Sequence, residues 1–325
     1  MYDYSMKNLA YQMFISGTGE YLDRMLSNGL GGVIFFTCDI DTEAQFKDLI
    51  KDIKTKSIAS GFLPPFLSID QEGGRVERTE NIHPRYLSPR VAFKNGTEFL
   101  SNQTQKIADE LKSYGINLNF APCADVNTNP NNPIIGERAF SDNSDDVIEG
   151  VKLVCDVYRK NGIIPCIKHY PGHGDADKDS HLTLPEIKLS LEEMEKVHIK
   201  PFKFEVENNI EMIMAAHLHC VCFDKEVIPA SLSKNAIGYL RNNLNYNGVI
   251  ISDDMVMKGV QDFGALEALI MGVNAGLDMF IYRDANKETF ELMENFADIV
   301  EKDEALRQKV IASNERINNL KKRFV

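Results

Sequence analysis

The stretch IPCIKHY, residues 164–170, is an apolar run that ends in polar side chains, and the loop PGHGD (171–175) follows it directly. The run shows no alternation of apolar and polar residues, which is typical of a parallel strand covered on both faces. Seven similar runs occur along the chain. They are QMFISG (12–17), GGVIFF (31–36), FLSID (66–70), NLNFAP (117–122), MIMAAH (212–217), VIISDD (249–254) and DMFIY (278–282). The sequence therefore predicts eight parallel strands.

Amphipathic stretches separate these runs. Residues 43–57 carry Phe46, Leu49, Ile50 and Ile53 at spacings of three and four, which predicts a helix with one apolar face. Similar patterns predict helices at 106–114, 146–160 and 191–208. Alternating strands and helices imply parallel pairing through right-handed crossovers, and eight such units favour a closed barrel over an open sheet.

The length of the chain leaves two architectures open. At roughly 150 residues per domain, 325 residues suggest two domains, but an α/β barrel accommodates about 200 to 400 residues in one domain. A doubly wound sheet with a glycine-rich phosphate loop is the alternative. No GxGxxG or GxxxxGK[ST] pattern follows a predicted strand, and no linker divides the chain. The predicted fold is a single (β/α)8 TIM barrel of the α/β class, with residues 1–325 forming one catalytic domain.

The charge balance excludes one class of partner. Lys and Arg number 36 and Asp and Glu 48, so the formal net charge is −12 and we expect no nucleic-acid partner. No run of about 18 apolar residues predicts a membrane span, and residues 1–17 do not resemble a signal peptide. The six scattered cysteines fit free thiols in a reducing compartment. We expect a cytoplasmic protein without a membrane partner.

Polar side chains follow most of the predicted strands. In a barrel the carboxyl ends of all strands meet at one mouth, where the active site lies. Any one of these residues could serve only as a helix cap or a surface ion pair, but together they predict a site. In chain order they are Asp70, Arg75, Arg78, Asp125, Arg138, Lys168, His169, His173, Asp175, Asp179, His181, His217, His219, Asp253 and Asp254.

A metal-dependent hydrolase is one interpretation of this set. The spacings His169-x3-His173-x-Asp175 and His217-x-His219 are typical of metal ligands, and metal-dependent amidohydrolases also use barrels. The end of the first predicted strand has no His-x-His pair, however. Three arginines and a lysine would also crowd a dication with positive charge. We therefore predict no metal and no other cofactor.

Carbohydrate chemistry is the favoured interpretation. A glycosidase needs a carboxylate beside the anomeric carbon and a proton donor beside the leaving oxygen. Asp253 or Asp254 could provide the carboxylate. In the triplet Asp179-Ser180-His181 the aspartate can orient the imidazole ring, and a histidine exchanges protons readily near neutral pH. A sugar-binding barrel without activity is the third class, and the intact acid and histidine residues argue against it.

Four segments resemble glycoside hydrolase family 3, and most closely its single-domain bacterial β-N-acetylglucosaminidases. They are IDQEGGRVER (69–78), IGERAFS (135–141), KHYPGHGDADKDSHLTLP (168–185) and ISDDMVMKG (251–259). The segments span most of the chain and keep the family's order. The resemblance also implies a (β/α)8 barrel.

The resemblance implies a role for each matching residue. Asp253 would be the nucleophile that forms a covalent glycosyl–enzyme, and His181 the general acid/base with Asp179 as its partner. His173 and Asp175 would support the site. The residues that would hold the hydroxyl and acetamido groups of the terminal sugar are Asp70, Arg78, Arg138, Lys168 and His169.

The family also implies a substrate. We expect a retaining β-N-acetylglucosaminidase that removes non-reducing terminal N-acetylglucosamine from muropeptide fragments in cell-wall recycling. The expected fragment carries the sugar on 1,6-anhydro-N-acetylmuramic acid. An N-acetylglucosaminide phosphorylase on the same fold stays open, because a neutral or cationic histidine tolerates an incoming phosphate better than a carboxylate would. A monomer is expected.

Overall fold

The computed structural model describes residues 4–177 and 184–325, and its strands form a closed parallel barrel. The strands are β1 (Phe14–Ser16), β2 (Gly32–Phe35), β3 (Phe66–Ile69), β4 (Leu118–Asn119), β5 (Ile164–Tyr170), β6 (Glu186–Ile187), β7 (Met212–Ala215), β8 (His219–Cys220), β9 (Val249–Asp254) and β10 (Met279–Tyr282). The barrel order is β1-β2-β3-β4-β5-β7-β9-β10, and β10 pairs with β1. The short strands β6 and β8 pair with each other outside the barrel. Each barrel strand lies within one of the eight predicted runs, so the predicted TIM barrel is confirmed.

The helices surround the barrel. They are α1 (Met6–Gln12), α2 (Leu22–Ser27), α3 (Glu43–Ala59), α4 (Pro89–Lys94), α5 (Thr97–Tyr114), α6 (Ser144–Lys160), α7 (Leu191–Glu193), α8 (Lys200–Glu207), α9 (Lys234–Gly238), α10 (Lys258–Gln261), α11 (Ala265–Ala275), α12 (Lys287–Lys302) and α13 (Glu304–Phe324). The side chains of Thr42, Asn143 and Asn286 accept backbone hydrogen bonds at the starts of α3, α6 and α12. None of the helices in the described ranges has the length and apolarity of a membrane span.

One predicted helix is interrupted. The pattern at 191–208 predicts a continuous helix, but a π-helical turn over Met194–His198 separates α7 from α8. Pro201 lies at the start of α8 and has no backbone N–H, so it cannot donate the hydrogen bond that would continue a regular helix. The hydrophobic periodicity predicted the apolar face of this segment but not the interruption of the helix.

The barrel wall explains why the strands read as unbroken apolar runs. Every residue of β5 is buried, and so is every residue of β2, β3 and β7. The barrel interior covers one face of each strand and the helices cover the other.

Two irregularities in strand pairing coincide with candidate site residues. Along β5, the four residues from Ile167 to Tyr170 oppose three on β7, so the extra residue lies at Lys168 or His169. Along β9, the four residues from Ile251 to Asp254 oppose three on β10, which places the second extra residue beside Asp253. Such bulges change the direction of neighbouring side chains and are frequent next to active sites.

Outside the mouth, α8 carries a buried acid with an unusual environment. Glu205 is fully buried and neither carboxylate oxygen has a hydrogen-bond partner in the part of the chain that the structure describes, although Arg159 Nη2 lies 3.5 Å from Oε2. Burial raises the pKa of Glu205 to about 7, and Arg159 opposes this shift only in part. Between its ordinary pKa of 4.5 and about 7, the folded protein therefore binds more protons here than the unfolded chain, and stability falls as the pH rises.

We predict that Glu205→Gln removes this pH dependence. The stability of the variant relative to the wild type is expected to increase by on the order of 1–3 kcal/mol between pH 5 and pH 8, because the neutral amide has no charge to bury. Urea unfolding at both pH values measures the difference. The control is Glu207→Gln, an exposed residue on the same helix. An equal change in both variants would contradict the prediction.

Candidate active site

A cavity opens at the carboxyl ends of the barrel strands and contains most of the predicted site. Its wall includes seven of the ten residues predicted for catalysis, binding or support. They are Asp70, Arg78, Arg138, Lys168, His169, His173 and Asp253. Asp254 and Arg283 also line it. These side chains converge from β5 and β9 and from the loops after β3, β4, β5 and β10, which agrees with the site's predicted position at the barrel mouth.

The floor of the cavity is organised by Glu72, which was not predicted to be a site residue. Its carboxylate accepts two hydrogen bonds from Arg138, from Nε at 2.9 Å and from Nη2 at 2.8 Å. Lys168 Nζ lies 2.7 Å from Glu72 Oε1 and donates to Asp70 Oδ1 at 2.6 Å. Burial alone would raise the pKa of Glu72, but Arg138 and Lys168 hold it well below its usual range. Two acids and two bases therefore form one buried, charge-balanced network.

The glycine pair after Glu72 makes this arrangement possible. Gly73 and Gly74 have φ values of 92° and 65°, a conformation that side chains other than glycine rarely adopt. A Cβ at Gly73 would lie 2.4 Å from the carbonyl oxygen of Leu87. The sharp turn directs Glu72 into the cavity floor and returns the chain so that Arg78 lines the same cavity.

A second buried acid, Asp125, orients two histidines. His169 Nδ1 is 2.7 Å from Asp125 Oδ2, and the backbone N–H of His173 donates to Oδ1 at 2.6 Å. Arg138 Nη2 lies 3.2 Å from His169 Nε2. Because a guanidinium can only donate, Nε2 is the acceptor and the His169 proton lies on Nδ1, towards Asp125. Asp125 therefore fixes both the ring orientation and the tautomer.

His173 presents an unpartnered imidazole to the cavity. The residue is 2% exposed, and neither ring nitrogen has a hydrogen-bond partner among the described residues. Burial lowers its pKa to about 4, with Asp125 opposing the shift. The ring is neutral near pH 7 and can offer one donor and one acceptor to a polar ligand. A Cβ at the neighbouring Gly174 would lie 1.8 Å from the carbonyl oxygen of Val126, so this loop packs directly on the segment after β4.

The two adjacent acids of β9 have different environments. Asp254 accepts hydrogen bonds from Arg283 Nε and from the backbone N–H of Val256 at 3.1 Å. Asp253 accepts a hydrogen bond from the backbone N–H of Asp254 at 2.7 Å, and no side chain in the described ranges donates to it. Burial alone would raise the pKa of both carboxyls, but for Asp253 the neighbouring imidazoles of His169 and His217, the backbone N–H of Asp254 and Lys168 outweigh burial and lower the pKa. The pKa of Asp254 stays raised despite Arg283. Asp253 is thus an ionised carboxylate of the cavity that no described side chain pairs with.

Some predicted residues lie elsewhere. Asp175 does not line the cavity, and its Oδ1 accepts a hydrogen bond from Thr128 at 2.9 Å, which fits the expected supporting role in the loop. Arg75 was expected near the catalytic aspartate, but its side chain is exposed and Nη1 donates to the carbonyl of Pro133 at 3.0 Å. Asp179 and His181 lie outside the described residues.

The His217-x-His219 pair of the metal interpretation is engaged in other contacts. His217 Nδ1 lies 2.8 Å from Ser231 Oγ, and its Nε2 lies 3.2 Å from the carbonyl oxygen of Asp254. His219 Nδ1 lies 3.3 Å from the carbonyl of Ile228. Within the described ranges, one group of potential ligands is close enough for a metal, namely Cys123, Asp125 and His169. Burial raises the pKa of the Cys123 thiol well above its usual value, and the aspartate and histidine are already paired. This group fits a metal ion poorly.

With the geometry established, comparisons with known proteins identify the family. Residues 12–320 match the glycosyl hydrolase family 3 N-terminal domain. The chain belongs to glycoside hydrolase family 3. It is 32% identical over 317 residues to β-hexosaminidase A of Pseudoalteromonas piscicida, covering 90% of this chain and 53% of that protein. It is also 32% identical over 289 residues to a β-hexosaminidase of Neisseria meningitidis, covering 86% of this chain and 78% of the relative.

A solved family 3 structure supports the same assignment. The β-N-acetylglucosaminidase of Paenibacillus sp. matches with a TM-score of 0.92 and 28% identity over 98% of this chain and 62% of that one. The chain thus spans between about half and four-fifths of the length of these relatives. The resemblance found in the four sequence segments is confirmed at the level of the family.

Three residues of the site were missed by the sequence analysis. Glu72 lies inside the quoted segment IDQEGGRVER, where one more acid was needed to balance the cations that converge on the cavity. Asp125 was noted after the fourth strand but given no role. Arg283 directly follows the last strand, and this position at a strand end could have identified it as a candidate site residue.

We predict that Glu72→Gln is strongly destabilising. The substitution leaves Arg138 and Lys168 buried with a single remaining carboxylate, and loss of one partner from a buried ion pair costs about 3–5 kcal/mol. Chemical denaturation measures the loss. Glu80→Gln is the matched control, because Glu80 pairs with the exposed Arg85 and such surface pairs contribute about 1 kcal/mol or less. Similar losses in the two variants would argue against the network.

Proposed function

We propose that this protein is a retaining β-N-acetylglucosaminidase that releases non-reducing terminal N-acetylglucosamine. The observation that carries the proposal is Asp253, an ionised carboxylate with one backbone hydrogen bond, in the same cavity as Asp70, Lys168 and His169. The two curated relatives are named β-hexosaminidases, and the solved structure from Paenibacillus sp. is named a β-N-acetylglucosaminidase, which supports the choice of sugar. A charge-balanced polar cavity fits a neutral, hydroxyl-rich ligand.

The glycone contacts follow from the unused hydrogen-bonding capacity of the floor. Asp70 Oδ1 accepts a hydrogen bond from Lys168, and Oδ2 is available to accept from a sugar hydroxyl. The guanidinium of Arg78 lies 5.8 Å from the ring centroid of Phe36, and its buried Nε has no hydrogen-bond partner within residues 4–177 and 184–325. With the neutral ring of His173, these groups offer donors and acceptors for the ring hydroxyls and the acetamido group.

The proposed mechanism uses two steps. Asp253 attacks C1 as the glycosidic bond breaks through an oxocarbenium-like state, giving a covalent glycosyl–enzyme that water then hydrolyses with retention. The proposed acid/base, His181 with Asp179, belongs to the segment 178–183. A Cβ at Gly259 would lie 3.4 Å from Leu184 Cδ1, so the residue that follows this segment packs on α10, the helix after β9.

The physiological setting is also a proposal. We propose muropeptide fragments with N-acetylglucosamine on 1,6-anhydro-N-acetylmuramic acid as substrates, cleaved by a cytoplasmic monomer that needs no cofactor. The resemblance of four sequence segments to family 3 supports this proposal. The phosphorylase alternative keeps the same glycone contacts and the same nucleophile.

We expect Asp253→Ala to lower kcat/KM on an aryl β-N-acetylglucosaminide by on the order of 10⁴-fold or more, because the nucleophile is lost. Asp254→Ala is expected to lose less and to keep forming a covalent adduct. Mass spectrometry after incubation with a 5-fluoro N-acetylglucosaminyl fluoride is expected to locate the adduct on Asp253. An adduct on Asp254, or activity that depends on Asp254 alone, would show that the nucleophile is assigned wrongly.

Inorganic phosphate separates hydrolysis from phosphorolysis. With wild-type protein and an aryl N-acetylglucosaminide, we expect free N-acetylglucosamine as the product both without phosphate and with 10-millimolar-range phosphate (on the order of cellular levels). Product analysis by mass spectrometry is the measurement. N-acetylglucosamine 1-phosphate as the main product would establish the phosphorylase instead.

A further inference from the structure

We propose that Arg283 recognises a carboxylate on the aglycone of the N-acetylglucosaminide. This inference rests on the proposed function and names a substrate class for the same site. Arg283 directly follows β10 and lines the cavity beside Asp254. Neither the sequence motifs nor the family resemblance assigned it a role.

The hydrogen bonding of Arg283 leaves one end of its guanidinium available. Its Nε donates to Asp254 Oδ2, and within the described ranges neither terminal nitrogen, Nη1 or Nη2, donates to a protein acceptor. Two parallel N–H groups at the end of a guanidinium match the two oxygens of a carboxylate, and such bidentate pairs are stronger and more specific than single hydrogen bonds. The guanidinium of Arg283 is therefore held through Nε, and its two terminal nitrogens are available to a ligand.

The anchor of Arg283 is itself fixed. Asp254 Oδ1 accepts the backbone N–H of Val256 at 3.1 Å while Oδ2 accepts from Arg283, so both carboxylate oxygens are engaged. A side chain that is already held in place loses less conformational entropy when it binds a ligand. This distinguishes Arg283 from a surface arginine that happens to border a cavity.

The depth of the cavity places Arg283 on the aglycone side. The side chains of Lys168 and Glu72 are 2% and 1% exposed, whereas that of Arg283 is 44% exposed. An enzyme that removes a terminal sugar holds that sugar at the closed end of its cavity, and the aglycone extends through the mouth. Arg138 and Lys168 are already paired with Glu72 and Asp70, and Arg78 is assigned to the glycone, so Arg283 is the remaining cation of the described cavity wall with hydrogen-bonding capacity for an anion.

The experiment compares two substrates that differ only in one charge. These are the β-N-acetylglucosaminides of 4-hydroxyphenylacetic acid and of its methyl ester. The methylene group insulates the phenol oxygen from the carboxylate, so the two leaving groups are of similar quality. We expect wild-type kcat/KM to favour the acid by about tenfold, the value of one charge-assisted hydrogen bond.

Three variants test whether Arg283 causes that preference. In Arg283→Gln, the ratio of kcat/KM on the acid to kcat/KM on the ester is expected to fall to about 1. Arg283→Lys keeps the charge but loses the two parallel N–H donors, so we expect an intermediate ratio. Arg307→Gln is the matched control, because Arg307 is 36% exposed, pairs with the single carboxylate of Glu304 and lies on α13 outside the cavity. It is expected to keep the wild-type ratio.

The outcomes separate this inference from the proposed function. A wild-type ratio near 1, or a ratio unchanged in Arg283→Gln, would overturn the role of Arg283 while ester turnover still supports the glycosidase. An equal loss on both substrates in Arg283→Gln would also overturn it, since Arg283 would then act only by positioning Asp254. If the wild type cleaves neither glycoside, the proposed function itself fails.

Discussion

The carboxylate of Glu72 is the contact on which the rest of the site depends. It lies between Arg138 and Lys168, two cations that are themselves buried and would be strongly unfavourable there without a nearby anion. The network joins the turn after β3, the segment 136–138 and strand β5. Since these three parts of the chain come from distant positions in the sequence, one shared charge interaction holds together the floor of the cavity.

Asp125 has the same function for the histidines. It accepts hydrogen bonds from the ring of His169 and from the backbone of His173, and so fixes the start of the loop that leads to the proposed acid/base. The site thus contains two kinds of polar group. Glu72, Arg138 and Asp125 are saturated by protein contacts and rigid, whereas Asp253, Arg78 and His173 retain hydrogen-bonding capacity for a ligand. Rigid supporting groups keep the second set in position before a substrate arrives.

The sequence predicted the barrel well because burial on both faces leaves a local signal in each strand. Seven of the ten candidate site residues also line one cavity, because position at a strand end and a family motif are both readable along the chain, and the roles assigned to them stay predictions. Glu72 and Asp125 were not assigned because their roles come from partners distant in sequence, as for Glu72 and Arg138. The break before α8 was missed because hydrophobic periodicity does not register a lost backbone donor such as Pro201.

The adjacent acids of β9 show how the fold resolves an ambiguity that the sequence leaves open. Successive residues of a regular strand point to opposite faces, yet both Asp253 and Asp254 line the cavity, because the pairing with β10 contains an extra residue there. Two ionised carboxylates side by side would repel each other, and Arg283 compensates the charge of Asp254. Asp253 is then free to stay ionised near His169 and His217, which lower its pKa. The local balance of charge, rather than the net charge of −12, therefore determines which aspartate is available for chemistry.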